Sequence, residues 1–319
     1  MHIVALDDYQ NAVRSLDAYA KLKDHQVTVF QGTAASEDEL VDMLKDADAV
    51  ILLQQRTALP RRVLERLPKL KMISQTGRNT AHIDLAACQE KGIVVSAGGA
   101  GGVNATAELA WALILASARH IPAEVAALKA GRWQTTLGTG LAGKVLGVYA
   151  YGRIGSIVAQ VGKAFGMKVV CFGRDGSTAK AREAGFDIAA SRDAFFADAD
   201  VVSLHIPLNK ETQGIVTAAD LARMKPTAIL VNTSRAGIIE AGALAAAVTS
   251  GRPGRAAVDV YETEPVLNGD HPLLKLDNVI CTPHLGYVEK ATYETLYRAA
   301  ADQILAFAAG KPVNVVAPG

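Results

Sequence analysis

Short apolar runs alternate with amphipathic stretches from the start of the chain. His2 to Leu6, Val27 to Phe30, Ala49 to Leu53, Met72 to Gln75 and Ile93 to Ser96 each read as a strand. Helical spacings lie between them. One helix opens at Ser36-Glu-Asp-Glu39, the pattern of a capping box, and another follows Pro60 with Val63, Leu64 and Leu67 on one face. Strands alternating with helices predict a parallel sheet covered on its faces, here a first domain of about a hundred residues.

The small-residue run Ala97-Gly-Gly-Ala-Gly-Gly102 interrupts this pattern and reads as a hinge, because no lysine follows it to make a phosphate cradle. A helix over Asn104 to Arg119 comes next, with Leu109, Ala110, Leu113, Ile114 and Ser117 at helical spacing. Apolar runs then recur at Val145 to Ala150, Met167 to Phe172, Ala199 to Leu204, Ala228 to Val231, Arg255 to Val258 and Val279 to Thr282. They predict a second doubly wound domain. The last helix, Glu289 to Ala309, carries Tyr293, Leu296, Tyr297, Ala300, Ile304 and Phe307 on one stripe, and Val313 to Val316 reads as a strand-like return. Because this helix follows the last strand of the second domain, it is expected to cross back onto the first. The expected division is 1–99 with 286–319 for one domain and 100–285 for the other.

Composition narrows the function. The chain has 319 residues, half of them hydrophobic and a fifth charged, which suits two globular domains at about 150 residues each. A net charge of +1 with no long run of either sign points away from nucleic acid and from anionic membrane surfaces. Cys88, Cys171 and Cys281 have no paired spacing for zinc or redox work, so no metal is expected and a reduced cytoplasm fits. The first residues lack the apolar core of a signal peptide, and the longest apolar stretch, Leu109 to Ala118, is far short of the roughly 20 residues of a membrane span.

The chemistry centres on Leu141 to Gly155, where a strand runs into a glycine-spaced turn and a helix. Gly152 has no side chain to hold phosphates away, Gly155 lets the helix pack closely, and the amides of Arg153 and Ile154 open the helix. Such a turn alone fits any strand-to-helix junction; the second strand at βαβ spacing makes it a candidate dinucleotide site. Ala150 stands where the first glycine of the fingerprint is expected. If that position needs positive φ, alanine costs roughly 1–2 kcal/mol there.

In open parallel sheets, ligands bind beyond the carboxyl ends of the strands. Polar groups stand at four such ends: His205, Asn232-Thr-Ser-Arg235, Asp259 and Pro283-His284. Together they describe a polar cleft beside the dinucleotide.

The same segments carry a resemblance. Ala105-Thr-Ala-Glu108, Ala142-Gly-Lys144, Leu204-His-Ile-Pro207, Met224-Lys-Pro226, Val231-Asn-Thr-Ser-Arg235, Asp259-Val-Tyr-Glu-Thr-Glu-Pro265 and Thr282-Pro-His284 follow one another over about 180 residues. In these motifs the sequence resembles the D-isomer-specific 2-hydroxyacid dehydrogenases, well in the second domain and poorly in the first. The resemblance implies an α/β fold, with a Rossmann dinucleotide-binding domain inserted in a flavodoxin-like substrate domain. It implies hydride transfer between a nicotinamide and a small 2-keto or D-2-hydroxy acid. Arg235 would hold the substrate carboxylate and polarise the keto oxygen, His284 would move the proton, and Glu264, rather than Glu262, would orient His284. Thr106, Ala150, Gly152, Arg153, Ile154, Gly155, Gly173, Arg174, His205, Pro207, Thr212, Thr233, Ser234, Asp259, His284 and Gly286 would line the cofactor, with Asp259 on the nicotinamide carboxamide. A homodimer is likewise implied.

Two departures bear on specificity. Gly173 takes the place of the acidic residue that holds the adenosine ribose, and Arg174 follows it. A missing carboxylate and an added guanidinium favour NADP(H), as in the family's glyoxylate and hydroxypyruvate reductases; NAD(H) remains open if Asp175 takes over the ribose. The substrate loop, Gln75 to Asp84, is shorter and poorer in glycine than in the family, leaving the amides of Arg78 and Asn79 to hold a carboxylate along with Arg235 and His284. The regulatory C-terminal domain of long phosphoglycerate dehydrogenases is expected to be absent. The alternative class is a dinucleotide-sensing binding protein like the corepressors that share this fold. A formate dehydrogenase-like enzyme is disfavoured, because that branch carries Gln where this chain has Glu264.

Overall fold

The computed structural model describes residues 1–99 and 101–318. It divides into two compact units, Met1–Gly102 with Glu289–Gly319, and Val103–Val288. The expected boundaries fall three residues earlier at both crossings.

The first unit holds five parallel strands: β1 (His2–Ala5), β2 (Gln26–Val29), β3 (Ala49–Leu52), β4 (Met72–Thr76) and β5 (Val94–Gly98). Their order is β2-β1-β3-β4-β5, so the winding reverses between β1 and β3. The helix Lys290–Ala308 packs on this sheet, where the Ser74 hydroxyl donates to Ala300 O at 3.0 Å and Glu294 accepts from the amides of Asp17 and Ala18. At Ser36 the capping is only half as expected. Its hydroxyl accepts from Glu39 N, but the Glu39 carboxylate turns to the amide of Ala35 instead of Ser36.

Two expectations for this unit change. Val313 to Val316 forms a single antiparallel bridge on the free edge of β5, Val315 to Ser96, instead of a strand, since Asn314 with a φ of 52° interrupts the extended run. Ala97 and Gly98 of the presumed hinge belong to β5, and a Cβ on Gly98 would lie 2.8 Å from the Gln303 and Asn314 side chains, so this part is packed. Ala100 of that run lies outside the described residues.

The second unit holds β6 (Val145–Tyr149), β7 (Lys168–Phe172), β8 (Asp187–Ile188), β9 (Val201–Leu204), β10 (Ile229–Asn232), β11 (Arg255–Val258) and β12 (Val279–Cys281), all parallel. They lie in the order β12-β11-β10-β9-β6-β7-β8. The period of two sorts each strand between two cores: Leu146, Val148, Val201, Ile229 and Val231 face one layer, and Tyr149, Val202, Leu204, Leu230 and Val258 face the other. Strand β8 was not expected; with only two residues it carries no periodicity. The helix Val103–Ala118 covers the first layer with Ala107, Ala110, Trp111, Ile114 and Ala118.

The second layer contains an ion pair between the buried Asp220 and the partly exposed Arg192, which the sequence does not announce. Arg192 reaches Asp220 through two hydrogen bonds, 2.8 and 2.6 Å, while Asp220 also caps the helix that begins at Thr217. Burial opposes ionisation of Asp220, but Arg192 and the Thr217 donors outweigh it and hold the carboxyl below its ordinary value of 3.8. A depressed folded value means stability that is present above pH 3.8 and lost as pH falls through the folded value. Asp220→Ala should therefore cost about 2 kcal/mol near neutrality, because it removes the charged acceptor of the partly exposed guanidinium and the cap of this helix. Urea denaturation from pH 7 to pH 3 should show the difference from wild type shrinking toward the acid end; a pH-independent difference would contradict the assignment.

Candidate active site

At the end of β6 the chain turns through Ala150, whose φ of 73° places it in the left-handed region. The position that lacks the fingerprint glycine thus does require positive φ, at a cost of roughly 1–2 kcal/mol for alanine. Three hydrogen bonds set the turn: Ala150 N to Phe172 O at 2.8 Å, Gly152 N to Ala150 O at 2.9 Å, and Tyr151 N to Ser177 Oγ at 2.7 Å. A Cβ on Gly155 would lie 2.3 Å from Ala150 O, so no other residue fits there. By contrast, a Cβ on Gly152 would meet nothing within 4 Å, which leaves the space over the turn open. The helix Arg153–Ala164 starts here, and its first backbone bond is Ser156 N to Gly152 O. The amides of Arg153 and Ile154 therefore precede that bond, at the positive end of the helix dipole. Open backbone, leading amides and a tight turn fit a dinucleotide pyrophosphate.

Gly173 and Arg174 lie beside this turn. A Cβ on Gly173 would sit 3.1 Å from Ser177 Oγ and 3.5 Å from Ala150 Cα. Arg174 precedes the helix Asp175–Glu183, and its guanidinium pairs with Glu211 at 2.6 Å.

The sheet's winding reverses between β6 and β9, and His205 stands at the β9 end. Its amide donates to Tyr149 O, its Nε2 lies 2.9 Å from Ser203 Oγ, and burial pushes its pKa down to about 4, which keeps the ring neutral. The following loop is closed on itself, with the buried Thr212 hydroxyl donating to Pro207 O at 2.6 Å. The Ser234 hydroxyl ties the end of β10 to Leu204 O of β9. Thr233 Oγ1 is different: it is buried and has no hydrogen-bond partner among the described residues, the condition of a group that a ligand completes.

Asn232 braces the next turn, accepting from Ser234 N and donating to Arg235 O at 2.9 Å. Arg235 follows in extended conformation with its side chain exposed, and Nη1 donates to Ser234 O.

Beyond β11 and β12 two carboxylates organise His284. Glu264 Oε2 lies 2.6 Å from His284 Nδ1, and Glu264 Oε1 accepts from Tyr261 N at 2.9 Å, so the carboxylate is anchored on its far side. Both side chains are 18% exposed. With Nδ1 directed to Glu264, Nε2 is the ring nitrogen left to exchange a proton. His284 has a φ of 53°, a strained value for a residue with a side chain.

Asp259 holds that backbone. Fully buried, it accepts from Thr282 Oγ1 at 2.6 Å, Leu285 N at 2.7 Å and Gly286 N at 2.9 Å. Burial raises its pKa, partly opposed by these donors and by the nearby His284. Within the protein this carboxylate clamps the histidine loop. Thr106 has a similar task, since its hydroxyl donates to Gly286 O at 2.8 Å.

In the first unit Gly77 takes a φ of 86° and places the exposed Arg78 and Asn79 after β4. The Asn79 side chain accepts from Ala81 N, and neither residue's amide is paired within the protein among the described residues. Two positioning residues escaped the sequence reading. Ser177 could be suspected only as a hydroxyl in the first turn after β7, and Tyr261 only as the neighbour of the acidic loop. A third, Asp7, is fully buried at the end of β1 and accepts from Thr57 and Thr33, where the first sheet reverses.

The model of the D-isomer specific 2-hydroxyacid dehydrogenase NAD binding domain matches residues 111–286, more than half of the chain. The chain belongs to the D-isomer-specific 2-hydroxyacid dehydrogenases. A glyoxylate reductase of Thermococcus litoralis is 35% identical over 87% of this chain and 86% of its own length. The D-3-phosphoglycerate dehydrogenase of Synechocystis is 39% identical over 80% of this chain but 46% of its own length. The chain spans about half the length of the phosphoglycerate dehydrogenases it matches. Among solved structures, the phosphoglycerate oxidoreductase of Vibrio cholerae o395 superposes with a TM-score of 0.93 at 47% identity, covering 97% of this chain and 99% of that one. Among the described residues no cluster of His, Cys, Asp or Glu could hold a metal, and no helix is long and apolar enough to cross a membrane.

Proposed function

We propose that this dehydrogenase interconverts a small 2-keto acid, of the size of glyoxylate or hydroxypyruvate, and its D-2-hydroxy acid, with NADP(H) preferred. The observation that carries the reading is the 2.6 Å pair of His284 and Glu264 on the same sheet edge as Arg235. A bound nicotinamide supplies or accepts the hydride at the substrate carbon. The protein's residues do the rest. Arg235 presents a planar fork that matches a carboxylate and polarises the keto oxygen. His284 Nε2 gives that oxygen a proton during reduction and takes one back during oxidation, while Glu264 holds the ring in place. Amides of Arg78 and Asn79 are the proposed further carboxylate donors. The amides of Arg153 and Ile154 take the pyrophosphate, Thr233 completes its hydrogen bonding on the cofactor, and Arg174 takes the 2′-phosphate.

The protein is proposed to act as a homodimer, supported by the apolar surface of Ile121, Val125, Leu128, Trp133 and Leu137, the last 93% exposed. Sedimentation of the purified chain as a monomer would overturn this.

The test is turnover at 340 nm with NADPH and NADH, offering glyoxylate, hydroxypyruvate, pyruvate and phenylpyruvate, and with 3-phosphoglycerate in the oxidative direction. Reduction of glyoxylate or hydroxypyruvate should exceed the rest in kcat/KM, with NADPH ahead of NADH. If 3-phosphoglycerate is the best substrate, the size assignment fails. Binding of both cofactors without turnover of any acid would remove the enzyme reading.

A further inference from the structure

We propose that Glu211 is a cofactor-selectivity residue, which holds the Arg174 guanidinium and competes with the 2′-phosphate of NADP(H) for it. The inference rests on the reading of Arg174 as the 2′-phosphate contact.

The sequence places these residues 37 positions apart, Arg174 just after β7 and Glu211 in the loop after β9, and nothing in either segment announces the other. The fold brings them to 2.6 Å, beside the turn that receives the dinucleotide. Glu211 is set by its backbone: its amide donates to Asn209 Oδ1 at 2.9 Å, in the loop closed by Thr212 and Pro207. Both side chains are largely exposed, 66% and 74%, so the pair adds little to stability and its role lies elsewhere.

The consequence for the cofactor follows from charge. A 2′-phosphate that takes the Arg174 fork must displace the Glu211 carboxylate, and the displaced carboxylate then stands close to a group of its own sign. NAD(H), with a neutral ribose hydroxyl, meets neither cost. Arg174 thus draws the 2′-phosphate while Glu211 limits the gain, and the chain as built accepts both cofactors with only a moderate bias.

The test uses the full chain and three variants, E211Q, R174A and the double variant, titrated with NADPH, NADH and 2′,5′-ADP. The last probe carries the 2′-phosphate without a nicotinamide. In E211Q the NADPH:NADH affinity ratio should rise about fivefold, and 2′,5′-ADP should bind correspondingly tighter, with a steeper loss of affinity as salt is raised. In the double variant the gain should vanish, because no guanidinium remains to be released. If R174A leaves the cofactor ratio and 2′,5′-ADP affinity unchanged, the reading of Arg174 itself fails. If R174A weakens both but E211Q leaves the ratio at wild type, or raises NADPH and NADH affinity equally, the Glu211 inference fails alone. Glu211→Lys supplies a second check: it should raise the ratio beyond E211Q, and a fall would contradict the competition.

Discussion

His284→Ala should lower both kcat and kcat/KM for 2-keto acid reduction by about a thousandfold, with cofactor affinity kept within a few-fold. The size of the effect follows from the geometry. His284 Nδ1 is committed to Glu264 at 2.6 Å, and Glu264 is in turn fixed by Tyr261 N, so the ring presents Nε2 in one orientation. Alanine removes the proposed proton donor while Arg235, on a different strand end, stays. Loss in kcat as well as kcat/KM is the signature of a group that acts in the transition state. Glu264→Gln keeps an acceptor oxygen but not the charge, so a smaller fall of about 10- to 100-fold is expected, again with cofactor binding retained. Stopped-flow turnover and fluorescence titration of NADPH on the same preparations separate the two quantities. Retention of more than a tenth of wild-type turnover in His284→Ala would assign the proton to another group.

The second large effect concerns the dinucleotide turn. Gly155→Ala should cost about 3 kcal/mol and abolish measurable cofactor binding, because its Cβ would overlap Ala150 O at 2.3 Å. Ala150 cannot yield easily: its amide is bonded to Phe172 O, and its φ of 73° is already unfavourable. The neighbouring change should go the other way. Ala150→Gly relieves the left-handed backbone and should stabilise the protein by about 1 kcal/mol, a rise in Tm of about 3 °C, with cofactor affinity kept or improved. Calorimetry and NADPH titration of both variants decide the matter. Wild-type NADPH affinity in Gly155→Ala would mean that this turn is not the phosphate site.

Much of the architecture was determined by the sequence alone. The strands of both sheets are short apolar runs, and parallel strands buried on both faces need no alternation with polar residues to be seen. Arg235 and His284 stood out as candidates because polar groups at the ends of buried strands are uncommon, whereas Glu264 was singled out by the resemblance alone. The glycine turn was legible from the strands at βαβ spacing around it, down to the open question at Ala150.

Only the tertiary structure settled the rest. A one-dimensional pattern reports which face of an element is buried, but a hydrogen bond between distant segments depends on how the strands are ordered across the sheet. Nothing local tells that Asp259 and Thr106 clamp the loop of His284, that Ser177 secures Tyr151 N, or that the Ala150 backbone is left-handed. Nothing local joins Arg174 to Glu211 either. Their meeting is produced by the adjacency of β6 to both β7 and β9, which puts the loops after β7 and β9 on either side of one turn.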